Sequence, residues 1–182
     1  MLAAEQFHEH GITSTGVEAL SKAAGISKRT LYERFGSKDN LIAAAYDTLD
    51  LPVFELFTAG PEAASDTPRG QIEAFFAQLE TMVRLPQFRG CPFSNAAAEL
   101  ADPDHPAHEV VRRHKGRIRR WLQRRAREGG AADPARLARE LMLVFEGAQS
   151  QALVERSPRP ARDAAVLVGV LLDAELGPSD SE

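Results

Sequence analysis

Apolar positions recur at helical spacing along almost the whole chain. Leu2, Ala3 and Phe7 mark a short first helix that Gly11 stops. Thr15 and Glu18 have the spacing of a capping box, with Val17, Leu20 and Ala24 as the inward stripe of a second helix and Gly25 as its left-handed end. Ser27 is placed to cap a third helix with Leu31 and Phe35 inward and Gly36 closing it. Ser37 is placed to cap a fourth, carrying Leu41, Ala45, Leu49, Phe54 and Phe57 and kinked or interrupted at Pro52.

Residues 59–70 are rich in small residues, Pro and Gly and read as a loop. Ile72, Phe75, Phe76, Leu79, Met82 and Val83 then predict a strongly amphipathic helix, ended by Pro86. A connector covers 86–93, and a short helix over 94–101 is predicted with Ser94 as its cap. A basic helix is predicted from Pro106 to Glu128, with Val111, His114, Ile118, Trp121 and Leu122 on one side and arginines on most of the rest. Asp133 and Pro134 open a helix through Glu155, and a last helix over 161–176 is apolar around much of its circumference. No window alternates with a period of two, so the expected fold class is all-α.

A final helix that is apolar on several sides needs more than one neighbour to cover it. A second copy of the chain supplies that cover by the commonest symmetry, so a homodimer through 134–156 and 161–176 is expected; the alternative is burial within one chain.

The stretch from Thr15 to Leu41 thus reads as two short helices around a tight turn, a helix-turn-helix. Such a unit reads bases from the start of its second helix, here Ser27, Lys28, Arg29, Thr30 and Tyr32, while Thr15, Arg34 and Lys38 are candidate phosphate anchors. Tyr32 can serve phosphate as well. Lys22, Lys28, Arg29, Arg34 and Lys38 outnumber Glu33 and Asp39 there. That local balance matters because the net charge of −4 over 182 residues makes the whole chain no electrostatic nucleic-acid binder.

AAGISKRTLYERFGSKDNL closely resembles the N-terminal signature of TetR-family (tetracycline-repressor-like) transcriptional regulators, through Ala24-Gly25, Ser27, Thr30, Leu31-Tyr32, Phe35, Ser37-Lys38 and Leu41. RGCPFSNAAAEL followed by DPDHP and a basic helix is similar to a subset of that family. The resemblance implies a DNA-binding domain over 1–41, a helical ligand-binding and dimerisation domain over 42–176, and a flexible tail over 177–182. It implies a ligand-responsive repressor whose dimer binds a near-palindromic double-stranded operator. It also implies a longer first helix than this sequence holds, so the first helix reads as truncated. A small-molecule binding protein of the same fold that has lost operator binding is the alternative.

For an unknown small apolar or aromatic effector, the candidate lining is Phe54, Phe57, Phe75, Phe76, Leu79, Met82, Phe93 and Phe145, with Asn95, Glu99, His114 and Gln149 as its polar groups. Core packing is the simpler reading for any one aromatic. His105 and His108 with nearby carboxylates fall short of a fixed metal ligand set, so no metal or cofactor is expected. Cys91, the single cysteine, excludes an intrachain disulfide and reads as structural, redox sensing requiring a lowered pKa. The arginine-rich helix is a rival nucleic-acid surface but has the look of a solvated face. No catalytic constellation is visible. No apolar run reaches the roughly 18 residues that span a bilayer, and no secretory leader is apparent, so no membrane partner is expected and a cytoplasmic location is.

Overall fold

The computed structural model describes residues 2–178, so part of the expected tail, 179–182, lies outside the described residues. Among the described residues there are nine helices and no strand: α1 (Leu2–His10), α2 (Val17–Ala24), α3 (Lys28–Phe35), α4 (Lys38–Ala64), α5 (Pro68–Val83), α6 (Pro92–Glu99), α7 (Ala107–Glu128), α8 (Pro134–Glu155) and α9 (Arg159–Leu176). They fall into two compact units, and the chain passes between them within α4, after α5, and within α7. One unit is Met1–Val53 with Cys91–Lys115, the other Phe54–Gly90 with Gly116–Glu182.

In the first unit Ala4, Phe7, Ile12, Leu20, Leu31, Leu41, Ile42 and Tyr46 share one core with Phe93, Ala96, Ala107, Val110 and Val111. The helix-turn-helix is therefore packed with α6 and the start of α7, elements distant from it in sequence. The Tyr46 ring lies near both Phe7 and Phe93, at 6.4 and 5.8 Å between centroids.

In the second unit Phe57, Phe75, Phe76, Phe145 and Trp121 form a continuous aromatic cluster, with centroids from 4.8 to 6.1 Å apart. The Trp121 indole N–H donates to the Glu62 carboxylate at 2.6 Å, which satisfies its one polar atom. α9 turns Ala161, Ala164, Val168 and Leu172 inward; its small residues let it lie close to α5 and α8.

Several local expectations are corrected. α4 runs unbroken through Pro52 and on through Pro61, so the predicted loop over 59–70 shrinks to residues 65–67. An interior proline costs about 3 kcal/mol. Burial of Tyr46 before Pro52, and of Phe57 and Pro61 after it, offsets that cost. α6 starts two residues earlier than predicted, with Pro92 in its first turn and Cys91, not Ser94, at its N-cap. The capping box at Thr15 does not form: Gly16 is the N-cap of α2 and makes no side-chain cap. The cap at Asp133 does form, its carboxylate accepting the Arg136 N–H at 2.9 Å.

Candidate nucleic-acid interface

The turn between α2 and α3 is fixed by its own sequence. Gly25 adopts φ 65°, a conformation that suits glycine, and its N–H and that of Ile26 close on the Lys22 and Ser21 carbonyls. Ser27 then starts α3, its hydroxyl accepting the Thr30 N–H at 3.1 Å and lying 2.9 Å from the Thr30 hydroxyl. Only Leu31 of α3 is buried, with Phe35 half-buried, so nearly the whole surface of this helix faces outward. Tyr32 is 48% exposed, unusual for a large aromatic side chain.

Six expected contact residues thus stand together on one exposed helix and its cap: Ser27, Lys28, Arg29, Thr30, Tyr32 and Arg34. Their charges are more engaged than the sequence suggests. The Lys28 ammonium is 3.0 Å from Glu18, a carboxylate omitted from the expected charge balance, and Arg29 Nε donates to Glu33 at 2.7 Å. Both pairs are solvent-exposed and worth at most about 1 kcal/mol each, so an arriving phosphate or guanine edge can replace the carboxylate. The Arg34 guanidinium lies 5.5 Å from the Phe35 ring centre.

Two expected phosphate anchors are placed otherwise. Thr15 is buried, and its hydroxyl donates to the Gly11 carbonyl at 2.6 Å, which turns it toward the interior. The Lys38 ammonium donates to the Ile12 carbonyl at 3.2 Å and ties the start of α4 to the segment after α1.

That segment has a second tie, invisible in the sequence as such. Glu99, at the end of α6, accepts the Ile12 N–H at 2.7 Å and the Thr13 N–H at 3.2 Å. Nearby, Asp50 is buried between two donors: Arg113 Nε at 2.9 Å and His114 Nδ1 at 3.0 Å, with Asp47 completing the pair to Arg113. The His114 ring is buried and stacks on Phe93, with centroids 3.7 Å apart. Burial holds its pKa below the ordinary imidazole value, against the pull of Asp50. Asp50 and Arg113 had no sequence signal beyond opposite charge.

The expected effector residues are divided. Phe93, Asn95, Glu99 and His114 belong to the first unit; Phe54, Phe57, Phe75, Phe76, Leu79, Met82, Phe145 and Gln149 belong to the second. Of the latter, the structure brings Phe57, Phe75, Phe76 and Phe145 together as a packed core, while Phe54 lies under the Arg117 guanidinium at 5.7 Å. His105 is buried, its Nδ1 accepting the Ala107 N–H at 3.1 Å, and His108 Nε2 is 3.1 Å from the Leu100 carbonyl. Among the described residues no three His, Cys, Asp or Glu side chains gather as a metal site. Cys91 is buried, 3.1 Å from the Lys115 ammonium.

Residues 2–45 match the family model for the bacterial regulatory proteins of the tetR family, and residues 68–168 match the tetracyclin repressor-like C-terminal domain. The chain belongs to the TetR family. A solved TetR-family regulator of Streptomyces avermitilis is 35% identical and superposes with a TM-score of 0.86, covering 96% of this chain and 93% of that one. A second, from Streptomyces coelicolor, is 28% identical with a TM-score of 0.85, covering 96% and 92%. Transcriptional regulator AcuR of Cereibacter sphaeroides is 29% identical over 168 residues, 86% of this chain and 75% of that protein. The regulator YjdC of Escherichia coli is also 29% identical, but over 93 residues, 51% of this chain, so the chain spans about half (49%) of that relative's length. These relatives are named as transcriptional regulators, in keeping with a protein of this TetR family that is no enzyme.

Proposed function

We propose that this TetR-family chain is a DNA-binding repressor that works in the cytoplasm as a homodimer and releases a near-palindromic operator when a small effector binds. The observation that carries the reading is the outward face of α3, where Lys28, Arg29, Thr30 and Tyr32 stand exposed on a helix whose start is fixed by Gly25 and Ser27. A helix so presented enters a major groove with its N-terminal residues against base edges. Tyr32 and Arg34 are placed to reach flanking phosphates.

Dimerisation is supported by the outer face of α8 and α9. Leu143 is 75% exposed, Val154 76%, Val166 72% and Val170 61%. An open hollow of about 320 Å³ runs between Leu143, Gly147 and Gln151 on α8 and Asp163 and Leu167 on α9. A two-fold copy of the same face covers these side chains. Effector response is supported by buried polar atoms without partners: His114 Nε2 in the first unit and Gln149 Nε2 in the second. Such atoms are costly to leave unpaired and are candidate ligand contacts. Among the described residues no helix is long and apolar enough to cross a membrane.

A second reading, a small-molecule binding protein without operator affinity, draws on Glu18 and Glu33, which each engage a base-reading cation. Retardation of DNA from beside the protein's own coding sequence separates the two. Specific retardation that survives competitor DNA supports the repressor; its absence with full dimer formation supports the binding protein.

A further inference from the structure

The end of α5, the connector after it and the last turn of α8 enclose a trough of about 560 Å³ in the second unit. Its walls include Val83, Leu85, Phe88 and Leu153. Its charged lining residues are Arg89 and Arg156, and among the described residues no carboxylate lines it. The volume lies in the range of small-molecule sites, roughly 300–1,000 Å³. We propose that this trough binds an amphipathic anion, an apolar chain or ring bearing one carboxylate or phosphate group, with the Arg156 guanidinium on the anionic head.

The backbone at Arg156 argues that its side chain is there for a reason other than ending the helix. Arg156 closes α8 in the left-handed region, φ 51°, and among the described residues it is the one non-glycine residue with positive φ. Glycine performs that closure without steric cost, and the other left-handed turns of this chain use it. The Arg156 N–H completes the turn on the Ala152 carbonyl, so the backbone is spent on the cap. The guanidinium has no partner among the described residues and is exposed at the rim of an apolar wall. Its flat fork matches a carboxylate or phosphate with two parallel hydrogen bonds. Leu85 and Leu153, 45% and 38% exposed, are the apolar surface that a tail covers.

The trough is distinct from the DNA-reading face and from the proposed dimer face. Successive residues turn about 100° around a helix, which sets Leu153 and Arg156 on a different side of α8 from Leu143 and Val154. A ligand here leaves the dimer face and α3 open.

The test is isothermal titration of the full chain with octanoate, octyl phosphate and octanol. Both anions bind, and octanol binds at least about tenfold more weakly, because the charge-assisted hydrogen bonds are lost. The stronger of the two anions identifies the headgroup the site takes. Arg156→Gly keeps the left-handed turn and removes the side chain with its guanidinium, so its melting temperature is unchanged or higher while octanoate binds about tenfold more weakly. Leu153→Asp places a carboxylate on the exposed wall and weakens octanoate likewise. Octanol binding as tightly as octanoate, undiminished binding in Arg156→Gly, or no binding of either anion to the unaltered protein overturns the proposal.

Discussion

The Glu99 carboxylate holds the backbone of Ile12, its Oε2 accepting that N–H at 2.7 Å across 87 residues of sequence. The same oxygen takes the Thr13 N–H, so the link between α1 and α2 is fixed from α6 as well as by Lys38 on the Ile12 carbonyl. The consequence is that α6, outside the helix-turn-helix in sequence, sets the footing of α2.

Removing that carboxylate loosens the footing. Glu99→Ala leaves the Ile12 amide, in a part-buried setting, without an acceptor and costs about 1–3 kcal/mol. Glu99→Gln keeps one acceptor oxygen and costs less. Thermal melting gives the order, and amide exchange at Ile12 and Thr13 locates it: faster exchange at these two in Glu99→Ala is expected, and unchanged exchange contradicts the clamp.

His114 makes stability pH-dependent. Its folded pKa lies below the ordinary value of 6.5 because it is buried. The unfolded chain therefore takes up a proton first as pH falls, and by linkage the folded state loses stability from about pH 6.5 down to the folded pKa. Above that window the contribution of His114 is complete. Denaturant melts at a series of pH values check this, with His114→Phe as comparison: the variant keeps a ring against Phe93 and shows a smaller loss of stability on acidification. A loss as large as in the unaltered protein contradicts the assignment. Tyr46 acts at the other end of the scale, since burial, with Glu99 and Cys91 nearby, pushes its phenol well above the ordinary range.

The dimer proposed through α8 and α9 predicts that Leu143→Glu and Val166→Glu each yield a monomer that retains its helical content and melts cooperatively. Both side chains are exposed in the single chain, so neither substitution disturbs a core. Analytical ultracentrifugation reads the mass; dimers of unchanged stability in both variants place the interface elsewhere.

Breaking the Asp50 pair is costly. Asp50→Ala removes the acceptor of the Arg113 Nε–H and the His114 Nδ1–H; Arg113 is partly exposed and keeps Asp47, but the buried imidazole N–H loses its partner, so a cost of about 1–3 kcal/mol is expected. Chemical denaturation measures it; a loss under about 1 kcal/mol means that the pair is solvated.

What the sequence made legible is local. Gly25, Ser27, Ser37 and Asp133 each govern backbone groups within a few residues, so a cap or left-handed turn follows from the side chain itself. The buried stripe of α5 follows in the same way from Ile72, Phe75, Phe76 and Leu79. Distant partners override such rules. Thr15 has a capping residue's chemistry, yet burial turns its hydroxyl to Gly11. Pro52 and Pro61 carry a breaker's chemistry, yet α4 continues because its flanks are buried. The pairing of Asp50 with His114 spans 64 residues and has no periodic signature, and the exposed face of α3 was readable only as a motif, not with Glu18 beside Lys28.

The central claim is that α3 reads DNA. A gel-shift titration of Arg29→Ala and Tyr32→Ala against the operator tests it most directly. Both side chains are exposed, so both variants fold as the unaltered protein does. A loss of specific affinity of at least about tenfold is expected in each, on the scale of a base or phosphate contact worth about 1–3 kcal/mol. Operator affinity undiminished in both variants would contradict it.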